Sequence, residues 1–209
     1  KKFFVSPVKQ KIAPTAIIGE KVTIGKGVTI GEFTVIGDNT VIGKNSVIHN
    51  HVVISNGTQI GDSCLIKSHA IIGEDGFGFE FDPTLHQVRI PHFGKVLIEN
   101  DVEIGSSTVI ARGTLDDTII GKNTKIDDLV FIAHNVQIGR SNLIISKAQI
   151  SGGVIIGNQC WIGPNVTIRD KVTLGNKCFV GMGAVVTKSF EDNVIIAGNP
   201  ARLFDRKAK

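Results

Sequence analysis

The chain has no tyrosine, one tryptophan and one methionine in 209 residues, and aromatic side chains make up only 6% of it. A bulky globular core built on large rings is therefore excluded. Three cysteines cannot all pair and none stands in a CxxC motif, which argues against a disulfide framework or a zinc ribbon. No apolar run is long enough to cross a membrane as a helix, and the opening KKFFVSPVKQ lacks the apolar stretch of a leader. Those two absences predict a cytoplasmic protein without membrane insertion. Nor is there a block of one charge: 23 Lys and Arg are scattered among 19 Asp and Glu, for a net charge of +4. Nucleic-acid binding needs a dense basic stripe with stacking aromatics, so no nucleic acid is expected as partner. A modest positive excess suits a small anion such as a nucleotide or a pantetheine phosphate.

What the chain does have is isoleucine at every sixth position from Ile12 to Ile72, and 24 glycines. That period fits neither a helix nor an alternating sheet. A unit so short cannot bury its own apolar face, so successive turns must stack into a solenoid. In the unit that begins Ile24-Gly25, Ile24 and Val28 face inward, Thr29 faces out, and glycine eases the corner. Three units close one triangular coil of 18 residues, an all-β parallel β-helix. Cys64, Cys160 and Cys178 share the phase of Val28 and Thr34 and read as small interior residues. After Ile72 the period stops, and residues 74–96 form an extruded loop. Repeats resume at Ile98, slip through two five-residue faces at Leu115 and Ile120, and run on to Val186. This spacing predicts nine coils in a single domain over residues 1–209, with a C-terminal cap at 187–209.

The slip sets a candidate site. If the missing residues fall late in the short faces, Asp117, His134 and Gly152 form one vertical column, each about 5 Å from the next. His51 and His69 are 18 apart and should stack at another corner. A metal needs three or four ligands and no third histidine joins that column, so no metal is expected there.

Hexapeptide solenoids of this kind resemble the left-handed β-helix acyltransferases. The segments Gly76-Phe77-Gly78-Phe79, Ile90-Pro91-His92-Phe93-Gly94-Lys95-Val96, the stretch from Arg112 to Gly121, and above all Ile132-Ala133-His134-Asn135-Val136-Gln137-Ile138-Gly139 are similar to the UDP-3-O-acylglucosamine N-acyltransferase family. The resemblance implies a homotrimer with sites between solenoids, His134 as catalytic base and Asn135 beside it at the substrate. It covers about residues 10–186. The departures count too. The repeat already runs at Ile12, with no counterpart of that family's N-terminal uridine-recognising domain ahead of it. Lys171 stands where the family has a second histidine, and Phe131 where it has a polar residue. The ending Ala197-Gly198-Asn199-Pro200-Ala201-Arg202 is instead similar to the tail of coenzyme A-dependent sugar acyltransferases.

The reaction implied moves an acyl group from a thioester, acyl-CoA by the tail or an acyl-carrier protein by the closer family, to the amine of a nucleotide-linked amino sugar. No permanently bound cofactor is needed. His134 would take the proton, with Asp117, or else Asp116 or Asp127, orienting it. The Gly152 N–H would hold the oxyanion, unless Gly152 is only a tight corner. Phe77, Phe79 and Phe81 either cover an acyl chain or a base, or anchor the loop on a neighbouring chain. Lys188, Asn199 and Arg202 either meet the phosphates of coenzyme A or form a basic cap. Lipid A synthesis with a carrier-protein donor is the enzyme alternative. A γ-type carbonic anhydrase would need an H-x4-H spacing that is absent, and a non-catalytic scaffold needs no site at all.

Overall fold

The computed structural model describes residues 11–204. Residues 1–10, which carry the expectation of a leaderless chain, and 205–209, the end of the expected cap, lie outside the described residues. Strands of two residues recur at nearly every repeat. Lys11–Ile12, Ile17–Ile18 and Thr23–Ile24 each found one parallel sheet, here called sheets one, two and three. Ile12, Ile30, Ile48 and Ile66 stack in the first, Ile18, Ile36, Ile54 and Ile72 in the second, and Ile24, Ile42 and Ile60 in the third. The chain is a left-handed parallel β-helix, all-β as expected. Among the described residues no helix is long and apolar enough to cross a membrane.

Each repeat turns two side chains inward, the isoleucine and the residue two before it. Val28, Ile30, Val52, Ile54, Ala70 and Ile72 are buried, and so are Thr34, Thr40 and Ser46. Each enclosed isoleucine contributes about 1.5–3 kcal/mol of transfer free energy. A buried hydroxyl must find partners to offset its lost hydration. Thr34 Oγ1 donates to the His49 carbonyl at 2.7 Å and accepts from Val52 N, and Ser46 Oγ does the same with Gly61 O and Cys64 N. The three thiols occupy the same interior column and donate to carbonyls of the next coil, Cys64 to Glu99, Cys160 to Gly175 and Cys178 to Glu191.

The corners work differently from the expectation. The left-handed residue of many corners is not a glycine: Phe33, Asn39, Asn45, His51 and Ser63 have φ of 57–58°. The glycine after many of the isoleucines serves close stacking instead. A Cβ on Gly19 would fall 2.4 Å from Asp38 Oδ1 in the next coil, and that oxygen accepts the Glu20 N–H at 2.7 Å. Asp38 N to Asn56, Lys44 N to Asp62 and Arg140 N to Asn158 repeat the device. The glycine thus makes room for an Asp or Asn that caps an amide one coil back.

Two excursions leave the prism, both at the edge between sheets two and three. The expected loop returns to the coil with strand Val96–Ile98, and Ile98 stacks on Ile60 across a step of 38 residues. It is not structureless: Phe79–Phe81 and Gln87–Arg89 form an antiparallel hairpin, turned by Asp82, whose Oδ1 accepts from Thr84 N and His86 N. The second excursion corrects the sequence count. Leu115 is no face of the coil but lies 77% exposed, and Ile110 is followed directly by strand Thr118–Ile120. Ile98 pairs with Ile120, a step of 22. A leucine spaced five residues from Ile110 imitates a shortened repeat. Nor does the coil end at Val186: Phe190 bridges Leu174, and Ile195–Ala197 adds a further strand to sheet one beside Phe179–Val180. The solenoid therefore has about ten turns. It is closed by Arg202–Leu203 folding back antiparallel.

Candidate active site

The edge that carries both excursions also carries His134, which leaves strand Phe131–Ile132 of sheet two, and Gly152, which leaves Gln149–Ile150 one coil further on. Asn135, next in chain, has φ +61°, a conformation asparagine tolerates well. Its amide is held at both ends. Oδ1 accepts the Thr114 N–H at 3.1 Å and Nδ2 donates to the Asp116 carbonyl at 3.0 Å. A backbone amide only donates and a carbonyl only accepts, so these partners fix which end is oxygen. That oxygen lies 2.9 Å from His134 Nδ1, with Thr114 Oγ1 at 3.5 Å. Nδ1 must therefore carry the hydrogen. In the neutral ring the lone pair is on Nε2, which has no partner among the described residues.

Gly152 lies under this ring. A Cβ there would come within 2.8 Å of His134 Cε1 and 2.9 Å of Nε2. Because residue 152 has no side chain, the Asx cap used at other corners is missing from the His134 N–H; neither that amide nor the Gly152 N–H has a partner among the described residues. The site thus offers an acceptor nitrogen and unpaired amides at one spot.

Asp117 is on this edge but does not pair with His134. Its Oδ1 accepts the Lys95 N–H at 2.8 Å, the capping use of an aspartate, and His134 forms no ion pair among the described residues. The physical reason is the step of 22: extra residues at 113–117 turn the carboxylate toward the first excursion. The two excursions also bind each other through Phe93 N to Thr114 O and Gly94 N to Gly113 O. Gly94 and Gly113 leave room for the Asp116 carbonyl, which a Cβ on Gly94 would approach to 2.4 Å.

In the sequence His92 is one residue of the segment 90–96, with no role of its own. It is 6% exposed and stands edge-on to His134, ring centroids 5.5 Å apart at 75°. An aperiodic insertion gives no phase by which to place a residue, so no signal marked it. Phe77 and Phe79 meet at 5.0 Å and, with Phe81 and Gln87, line a hollow of about 380 Å³ on the hairpin. Lys188 follows Val186 on the same edge as His134, three coils on through Ile150 and Ile168, about 15 Å away at one strand spacing per coil. Asn199 and Arg202 are exposed on the closing turn and do not touch the His134 cluster. His51 and His69 stack at 5.0 Å with Phe33 beyond them; among the described residues no three metal-ligating side chains gather. A larger hollow, about 470 Å³, opens on sheet three around Gln59, Leu97 and Lys122. Its lining has no imidazole, so the edge is the better candidate.

A family model described as bacterial transferase hexapeptide (six repeats) matches residues 39–74 and 153–188. These two segments are 72 of the 209 residues, and with the continuous coil they show the hexapeptide repeat in this chain. Its curated relatives include the UDP-3-O-acylglucosamine N-acyltransferase of Bordetella pertussis, 46% identical over 107 residues, which are 50% of this chain and 30% of the relative. The Coxiella burnetii protein of the same name is 53% identical over 95 residues, 46% of this chain and 28% of the relative. The matched segment thus spans under a third of the length of either. Among solved structures, LpxA from Acinetobacter baumannii superposes with a TM-score of 0.84 at 27% identity, covering 92% of this chain and 73% of its own. The UDP-N-acetylglucosamine acyltransferase from Campylobacter jejuni gives 0.84 at 25%, covering 93% and 74%.

Proposed function

We propose that this chain is an acyltransferase that moves an acyl group from a thioester to the amine of a nucleotide-linked amino sugar. The observation that carries this reading is the His134 tautomer, with its Nε2 lone pair directed over Gly152 beside unpaired amides. His134 takes a proton from the sugar amine as that nitrogen attacks the thioester carbonyl. The carbon–nitrogen bond forms, the carbonyl pair moves onto oxygen, and the Gly152 N–H faces that oxyanion. On collapse the carbon–sulfur bond breaks and the thiolate receives the proton from the imidazolium. No nucleophilic side chain is required, and the thiols are enclosed in the core. The names of the curated relatives favour an amine as acceptor.

Lys188, about 15 Å along the same edge, supports a pantetheine arm lying parallel to the coil axis with its phosphates at the C-terminal end, near Asn199 and Arg202. That favours coenzyme A as donor. The second reading, a carrier-protein donor, is what the resemblance of the His134 segment implies, and turnover with acyl-CoA against acyl-carrier protein separates them. Phe77, Phe93 and Leu115, on the two excursions, are 84%, 74% and 77% exposed, which supports a trimer in which a neighbouring chain covers them. The deciding test is thioester consumption by wild type and His134→Ala with UDP-linked amino sugars. Loss of the base should lower the rate about 10²–10⁴-fold; an unchanged rate refutes the assignment. Absence of any thioester or sugar-nucleotide binding by calorimetry would leave a scaffold.

A further inference from the structure

His92 is a buried imidazole that the proposed reaction does not use. Its Nδ1 lies 3.1 Å from the Ile90 carbonyl, and since a carbonyl only accepts, that nitrogen carries the hydrogen. Nε2 is then an acceptor, and it is enclosed without a partner among the described residues. A buried acceptor left unpaired is destabilising, so an apolar side chain would serve the core of the excursion better unless the ring has a task. The contacts name one. A Cβ on Gly76 would fall 2.9 Å from His92 Nε2, 3.0 Å from His134 Cδ2 and 3.1 Å from His134 Cβ. Both rings therefore close on the same glycine. His134 is bounded by Gly152 at Cε1, by Asn135 at Nδ1, by Gly76 at Cδ2, and by the perpendicular ring of His92.

We propose that His92 is a positioning residue: it walls the His134 imidazole into the one orientation that leaves Nε2 over Gly152. Histidine suits the task better than an aliphatic residue because its Nδ1–H bond to Ile90 O fixes the plane of the ring. A rotation of His134 about its Cβ–Cγ bond would exchange Nδ1 with Cδ2, break the bond to Asn135 and withdraw the lone pair from the reacting centre. The Asn135 bond opposes that rotation from one side of the ring and His92 from the other.

This inference rests on His134 being the base, and the test keeps the two apart. Long-range proton–nitrogen correlation of the ring nitrogens, with His134→Gln assigning the signal, reports the His134 tautomer without any turnover. Wild type should show a single Nδ1–H form. His92→Ala should show averaged shifts of two interconverting forms, with kcat lowered up to about 10²-fold and KM within about threefold, as for a misplaced group rather than a lost binding contact. If His92→Ala does not fold, His92→Gln is read instead; it retains a donor for Ile90 O but a softer wall, and should give a smaller shift of the same sign. A His134 signal that stays in one form in these variants overturns the proposal, whether or not activity falls. Full turnover by His134→Ala would instead remove the reading beneath it while leaving the tautomer measurement intact.

Discussion

Gly152 and Gly157 lie five residues apart and face almost the same intrusion, yet they should fail in opposite ways when changed to alanine. A Cβ on Gly152 meets His134 Cε1 at 2.8 Å, whereas one on Gly157 meets the backbone carbon of Gly175 at 2.7 Å and Asn176 N at 2.8 Å. Neither φ is in the left-handed region, so only space is at issue. Carbon contacts are comfortable near 3.5–4.0 Å, which leaves each about 0.7 Å or more too close. In Gly152→Ala the half-exposed imidazole can tilt outward, at a stability cost of about 1 kcal/mol. The tilt stretches the 2.9 Å bond to Asn135 and displaces Nε2 by a large fraction of an ångström, enough to lower turnover up to about 10²-fold. In Gly157→Ala no side chain can yield and the coils must part, costing about 1–3 kcal/mol. That lowers Tm by about 2–4 °C per kcal/mol for a chain of this size. Circular-dichroism melting and thioester turnover on both variants give the comparison. Wild-type turnover by Gly152→Ala, or a Tm that falls further in Gly152→Ala than in Gly157→Ala, would refute the geometry.

Asp117→Asn retains an oxygen for the Lys95 N–H, so turnover should stay within about threefold; a loss of about 10²-fold or more would mean that the carboxylate orients His134 after all. Asn135→Gly removes three hydrogen bonds without straining a left-handed backbone, so the excursion at 112–117 should become a protease site, read by limited digestion. Unaltered resistance would show that Asn135 does not latch it. Burial pushes the Cys160 thiol up to about 11, and it raises Cys64 and Cys178. The folded thiol is the weaker acid, so its stabilising contribution is whole below the ordinary value of 9.0 and is lost as pH climbs toward 11. A thiol-reactive disulfide at pH 8 should leave the three cysteines unlabelled until the chain is unfolded; rapid native labelling would contradict their placement.

The six-residue period told where the inward isoleucines fall and that the thiols lie inside, because burial of every third pair of side chains is a pattern in hydrophobicity. Corner chemistry is not. Phe33, His51 and Ser63 hold left-handed conformations through coil closure rather than local preference, so their sequence gives no warning. Gly19 and Asp38 make sense only as a pair 19 residues apart. Leu115 was misread because hydrophobicity at nearly the right spacing says nothing of whether a strand forms. That error placed Asp117 under His134, when residues 113–117 aim it at Lys95. His134 and Gly152 were legible because their coils are regular, while His92 lies in the segment where phase is lost.

Both insertions leave one edge and return without disturbing the lattice behind it, since Ile60, Ile98 and Ile120 remain neighbours across steps of 38 and 22. Closing a longer loop raises the entropic cost only logarithmically, about 0.6 kcal/mol for each doubling. The prism therefore behaves as an indexed rail. The shape around the imidazole can drift through the length and make-up of the two excursions, while the rungs that hold the imidazole keep their spacing.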